Sequence, residues 1–174
     1  MSNWNKVFKP IVVLCVICIV ITGALAFTNS VTEPIIIEAT RVAQENARKE
    51  LLPEADSFTK MDITAEHVSD VYQADNGVGT VITCDGKGYG GTITVMVAFN
   101  PDDTIKQIKI TEQSETAGLG SKIQSEASFQ DSFAGLPAED FEVTDIAAIS
   151  GATISSKAVT AAVNAAIDAY NMIP

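Results

Sequence analysis

The sequence predicts an α+β protein: a single N-terminal transmembrane helix followed by an antiparallel sheet domain flanked by helices. Three observations predict it. Residues Pro10 to Thr32 carry no charged side chain, and roughly 20 such residues span a bilayer. Between His67 and Thr111, β-branched runs alternate with turn chemistry. Beyond them the chain returns to helical spacing and closes on an alanine-rich stretch, so that strands are clustered between helices.

The elements follow in chain order. The stretch from Ile11 to Ile21 is apolar throughout, and Lys6 and Lys9 precede it, which by the positive-inside rule keeps the N-terminus cytoplasmic and sends the chain beyond Ser30 to the extracytoplasmic side. The anchor is preferred over a cleaved signal peptide, although Ala24-Leu25-Ala26 also resembles a small-residue cleavage site. Glu33-Pro34 reads as a helix opening, and the run to Leu52 as a stalk helix stopped by Pro53. Strands are expected at Val71-Tyr72, Thr80 to Cys84, Thr92 to Phe99 and Thr104 to Ile110, separated by turns at Asp75 to Gly77, Gly86 to Gly91 and Asn100 to Asp103. They make an antiparallel meander. Ser121 to Phe133 reads as a short helix, Phe141 to Ile149 as a loop with some strand, and Ser155 to Met172 as a helix that Pro174 terminates. The expected layout is a cytoplasmic stub and membrane helix (1–32), a stalk helix and linker (33–65) and one globular domain (66–174).

Composition excludes several function classes. Without Lys6 and Lys9, 9 basic residues face 22 acidic ones, a net charge of −13; such a domain repels nucleic acid and anionic lipid, and solubility accounts for its charge. Cys15 and Cys18 form C-x-x-C inside the membrane helix, read as small apolar filler or as a redox pair. Cys84 has no partner for a disulfide within the outer domain, and His67, the sole histidine, excludes multi-histidine metal sites and bis-histidine haem.

Three segments carry chemistry. Gly86-Lys-Gly88-Tyr-Gly-Gly91 has the G-x-G-x-x-G spacing, but a strand pattern follows it where a dinucleotide fold needs a helix, so a tight turn is expected. Gly118-Leu-Gly120-Ser-Lys122 lacks the spacing of a phosphate loop, yet Glu115-Thr116-Ala-Gly118-Leu119-Gly120 offers a glycine turn that a flat ligand could approach. Asp145 to Ser156 is a hydroxyl-rich, small-residue turn running into the last helix. Either Thr153 or Ser155 caps that helix, or the Thr153 hydroxyl, flanked by Gly151 and Ala152, is open to modification, with a phosphate on it stabilised by the helix N-terminus.

The segment Ser150-Gly-Ala-Thr153-Ile-Ser-Ser156 closely resembles the flavinylation motif of the FMN-binding domain family, in which the threonine takes FMN from FAD and becomes a phosphodiester. Glu115-Thr-Ala-Gly-Leu-Gly120 resembles the family's E-T-x-G-L-G segment, with Ala117 where proline is common, and Gly88-Tyr-Gly-Gly91 resembles its strand-turn glycines. The resemblance implies covalent FMN on Thr153; Glu115, Thr116, Leu119 and Gly120 contacting the ring or tail; and Ser150, Gly151 and Ala152 as the shape that a FAD:protein FMN transferase recognises. A short anchor and one FMN domain resemble the G-subunit family of Rnf-type ferredoxin:NAD⁺ oxidoreductase complexes. The C subunits of sodium-pumping NADH:quinone reductases are close relatives with an insert absent here. The implied role is an electron-carrier subunit in the plasma membrane, exchanging electrons with membrane subunits that hold flavin or iron–sulfur centres, in an assembly that moves Na⁺ or H⁺. No residue reads as an independent catalytic acid, base or nucleophile, and none as a metal ligand. Rival expectations are a flavin carrier of an extracellular electron-transfer pathway and a non-redox pilin-like or sensory module on a membrane anchor.

Overall fold

The structure is a computed structural model describing residues 8–173; Lys6 and Pro174, used above for topology and helix termination, lie outside the described residues. The chain divides into two compact units between Ala43 and Gln44.

Most of the first unit belongs to helix α1 (Lys9–Leu51), which is 43 residues long and contains an 18-residue window of mean hydropathy 2.9. Its side chains from Ile11 to Phe27 are exposed on every face, the pattern of a helix whose solvent is lipid. The hydroxyls of Thr28, Ser30 and Thr32 donate to carbonyls of Ala24, Phe27 and Thr28 one turn back, which hides polar groups that lipid cannot solvate. Pro34 opens no new helix. It lies inside α1, because a missing N–H removes one bond of the ladder while the flanking bonds remain.

In the second unit, β1 (Phe58–Met61), β2 (Val68–Ala74), β3 (Thr80–Lys87), β4 (Thr92–Phe99) and β5 (Ile105–Glu112) form one sheet in the order β1-β2-β3-β4-β5, every pair antiparallel. The meander is as expected, with β1 as an addition from the segment read as linker; four residues with only Phe58 and Met61 half-buried are too few to show a period. Helix α4 (Thr153–Tyr170) covers one face, where Val159, Val163 and Ile167 pack with Ile93, Val95, Val97 and Phe99. The last turns of α1 cover the other, where Ala47, Leu51 and Leu52 meet Val81, Met96 and Ala98. Strand β4 is therefore buried on both sides, which is why its sequence is apolar without alternation. Lys106 and Lys109 of β5 pair with Glu54 and Glu50, and a register shift opposite Ala98 and Phe99, which leaves Lys106 as an extra residue in β5, breaks the period-two pattern there.

The segment after β5 departs from the single helix expected. It forms α2 (Lys122–Ser125) and α3 (Ala127–Asp131), broken where Glu126 turns extended at φ −92°, ψ 104°. Phe129 and Phe133 pack edge to face with centroids 5.4 Å apart. Residues 141–149 contain no strand; a single 3₁₀ turn, Val143–Asp145, is closed by reciprocal bonds between Glu142 and Asp145.

Candidate functional site

The β3–β4 hairpin, the loop after β5 and the first turn of α4 converge on one open cavity of about 300 Å³. The hairpin contributes Tyr89, the loop Glu115, Thr116, Leu119 and Gly120, and α4 with its approach Gly151 to Ser155. All three segments singled out in the sequence thus meet. Ser150, expected among them, is exposed but does not line the cavity.

Each segment owes its shape to local chemistry. The hairpin closes with the Gly88 amide donating to the Gly91 carbonyl at 2.9 Å, and β4 follows directly, so the glycine spacing serves a tight turn. Tyr89 sits at that tip with 74 % of its surface exposed. In the loop, the amides of Leu119 and Ser121 donate to the Thr116 carbonyl at 3.1 and 3.2 Å, while Gly118 takes φ +75°, a conformation that disfavours a side chain. Gly151 does the same at φ +81°, and a Cβ there would stand 3.4 Å from a Leu119 methyl.

The hydroxyl-rich turn is resolved hydroxyl by hydroxyl. Helix α4 starts at Thr153 behind Ala152, with no side chain capping it, so neither Thr153 nor Ser155 is the cap. Ser155 is buried and donates to Glu115 Oε2 at 2.5 Å. Ser156, also buried, accepts from the Ile149 amide at 3.2 Å. Thr153 is exposed, lines the cavity and makes no side-chain hydrogen bond among the described residues. It is a free hydroxyl at the N-terminus of an 18-residue helix, whose uncapped amides and dipole favour an anion.

Glu115 is placed differently from a simple ring contact. Only 9 % of it is exposed, its Oε1 accepts from the Gly90 amide at 2.9 Å, and its own amide donates to Gln113 Oε1 at 2.7 Å. Around it the backbone is crowded: a Cβ on Gly88 would come within 2.3 Å of Oε1, and one on Gly120 within 2.6 Å of Oε2. By contrast Leu119 and Ile154 are about half exposed, at 49 % and 54 %, an unusual placement for two aliphatic side chains on one rim. Sequence reasoning missed Tyr89, Ile154 and Ser155 as site residues. An aromatic between turn glycines was the available signal for Tyr89; Ile154 and Ser155 stand inside the quoted motif, where only their place beside Thr153 marked them.

The residues fit FMN: an apolar, glycine-floored rim suits a flat ring, and an uncapped helix start suits its phosphate. A larger cleft of about 780 Å³ lies at the other end of the sheet, where the Tyr170 hydroxyl donates to Asp103 at 3.0 Å and the Asn100 side chain to the Thr104 hydroxyl at 3.0 Å.

The comparisons agree with the geometry. A family model described as FMN-binding domain matches residues 88–168, which contain all three converging segments. The chain is 35 % identical over 195 residues to the G subunit of a Na⁺-translocating ferredoxin:NAD⁺ oxidoreductase complex of Acetobacterium woodii, covering 97 % of this chain and 93 % of that one. It is 34 % identical over 184 residues to the G subunit of an ion-translocating oxidoreductase complex of Methanosarcina acetivorans, covering 97 % and 96 %. It is 31 % identical over 177 residues to the G subunit of a proton-translocating ferredoxin:NAD⁺ oxidoreductase complex of Clostridium ljungdahlii, covering 96 % and 93 %. A membrane-length helix, a sheet domain whose three motifs line one cavity and these full-length likenesses lead to one assignment: the chain belongs to the G-subunit family of Rnf-type ion-translocating oxidoreductase complexes, electron-transport subunits built on an FMN-binding domain.

Proposed function

We propose that Thr153 carries FMN through a phosphoester and that the chain relays electrons as a membrane subunit of a ferredoxin:NAD⁺ oxidoreductase complex. The observation that carries the attachment is the state of the Thr153 hydroxyl: exposed, unbonded, on the cavity rim and at the start of α4. Attachment requires a FAD:protein FMN transferase. Thr153 Oγ1 forms the new P–O bond, the pyrophosphate bond of FAD breaks, AMP leaves, and the threonine proton is released.

FMN, once bound, accepts and passes on the electrons, and the protein sets its surroundings. The uncapped amides of α4 offset the phosphate charge. Leu119, Ile154 and Tyr89 shield the ring from water. Gly120 and Gly151 let backbone approach it, while Ser150 to Ala152 present the turn to the transferase. Because the cavity is open, a flavin held there would stay within reach of flavin or iron–sulfur centres of neighbouring subunits. Coupling to Na⁺ or H⁺ movement belongs to the assembly. The apolar span of α1 anchors the chain, with the N-terminus cytoplasmic and the FMN domain extracytoplasmic.

The test is the denatured intact mass of the full chain, purified in detergent after co-expression with the transferase, as wild type and Thr153→Ala. An FMN-sized mass and in-gel flavin fluorescence in the wild type, both absent from Thr153→Ala, are expected. An unmodified wild type, with the transferase active on a control substrate, refutes the attachment.

A further inference from the structure

Glu115 joins three segments far apart in sequence. Its carboxylate takes the Gly90 amide, 25 residues away, on Oε1 at 2.9 Å and the buried Ser155 hydroxyl, 40 residues away, on Oε2 at 2.5 Å. Both oxygens accept, and the group is 9 % exposed. A buried carboxylate is costly unless hydrogen bonds satisfy it, and here the partners come from the hairpin on one side and from α4 on the other. The glycines beside it make room for this group: side chains at Gly88 and Gly120 would strike its oxygens.

We propose that Glu115 is a positioning residue of the cofactor site, its buried carboxylate clamping the β3–β4 hairpin and the 115–120 loop onto the first turn of α4 so that the cavity holds the flavin ring in one place. The inference rests on the FMN reading above and deepens it. Thr153 tethers the cofactor by its phosphate end, but a tether alone leaves the ring free to swing. Holding the ring depends on Leu119 and Tyr89 keeping station relative to Thr153, and Glu115 is the group that bonds all three segments together. Loss of the carboxylate also leaves the buried Ser155 hydroxyl without its acceptor, which loosens the first turn of α4 itself.

The test uses the full chain in detergent, matured with the transferase, as wild type, Glu115→Ala, Glu115→Gln and Ser155→Ala. Intact mass records attachment, thermal unfolding records the fold, and iodide quenching and anisotropy of flavin emission record how firmly the ring is held. The expected result is FMN mass on all four, several-fold stronger quenching and lower anisotropy in Glu115→Ala, an intermediate change in Ser155→Ala, and near wild-type values in Glu115→Gln. Glutamine rescues because its amide oxygen accepts from Gly90 while its amino group donates to the Ser155 oxygen. Wild-type emission in Glu115→Ala, or an equal loss in Glu115→Gln, overturns the clamp. Should Glu115→Ala not fold, Ser155→Ala decides, and unchanged emission there overturns it. A flavin-free arm separates the clamp from the attachment: in the Thr153→Ala chain, amide exchange across residues 88–91 and 115–120 is expected to quicken when Glu115→Ala is added. Unchanged exchange overturns the clamp whether or not the wild type accepts FMN.

Discussion

Between Ser150 and Ser156 the sequence holds four hydroxyls, and the fold treats them unequally. Ser155 and Ser156 are buried and engaged, so Ser150 and Thr153 remain open, and of these two Thr153 lines the cavity. The motif named Thr153 in advance; what distinguishes it chemically from Ser155, two positions on, is a hydrogen bond to a residue 40 positions away, which no local pattern encodes. The glycines show the same dependence. Gly120→Ala would place a Cβ 2.6 Å from Glu115 Oε2 and 2.9 Å from Ser155 Oγ, and the expected outcome is a loss of about 1–3 kcal/mol in denaturant unfolding of the full chain. Tyr170 supplies a pH prediction. Burial, helped by the hydrogen bond to Asp103, pushes its phenol up to about 12, above the ordinary value near about 10. The folded state therefore holds that proton more tightly, and the stability it contributes is complete below about pH 10 and lost as pH rises toward 12. Unfolding curves across this range are expected to fall less steeply for Tyr170→Phe than for wild type.

At the scale of elements, α4 sets the site because it is pressed onto the sheet. Gly86 in β3 lies so close beneath it that a Cβ would stand 2.1 Å from the Ala158 carbonyl oxygen; backbone, unlike a side-chain tip, cannot swing aside. Gly86→Ala is thus expected to shift α4 and lower both the unfolding midpoint and the yield of FMN attachment, measured by melting and intact mass on one preparation. Four alanines of α4 lie on its contact face: Ala158, Ala162, Ala166 and Ala169 are all buried, and small side chains permit the close approach. The opposite sheet face depends on α1. Leu52 is fully buried against Met96 and Ala98, and Leu52→Ala is expected to cost roughly 2–5 kcal/mol in denaturant unfolding. The long strands and helices were legible from period and turn residues. The failures were short or composite elements: β1, the break at Glu126 and the 3₁₀ turn at Val143, each decided by packing rather than propensity.

For the whole molecule, the division between Ala43 and Gln44 places the last turns of α1 and strand β1 with the sheet. A chain beginning at Gln44 keeps the cover over Val81, Met96 and Ala98 and is expected to melt cooperatively. One beginning at Glu66, the boundary expected from sequence, strips that cover and β1, and is expected to aggregate; size-exclusion chromatography and melting of the two chains decide. By itself, the sequence determined the membrane-length helix, the antiparallel meander, the acidic charge of the sheet domain and the three segments that line the cavity, because apolar length, side-chain period, turn residues and motifs are all written in contiguous residues. Only the tertiary structure decided that these segments close on one cavity, that Glu115 is buried between them rather than displayed, and that Thr153 keeps its hydroxyl free. Those outcomes depend on which face of β4 meets α4 and which meets α1, and on hydrogen bonds spanning 25 and 40 residues. Burial and sheet register fix such contacts, and neither is a property of any single stretch of chain.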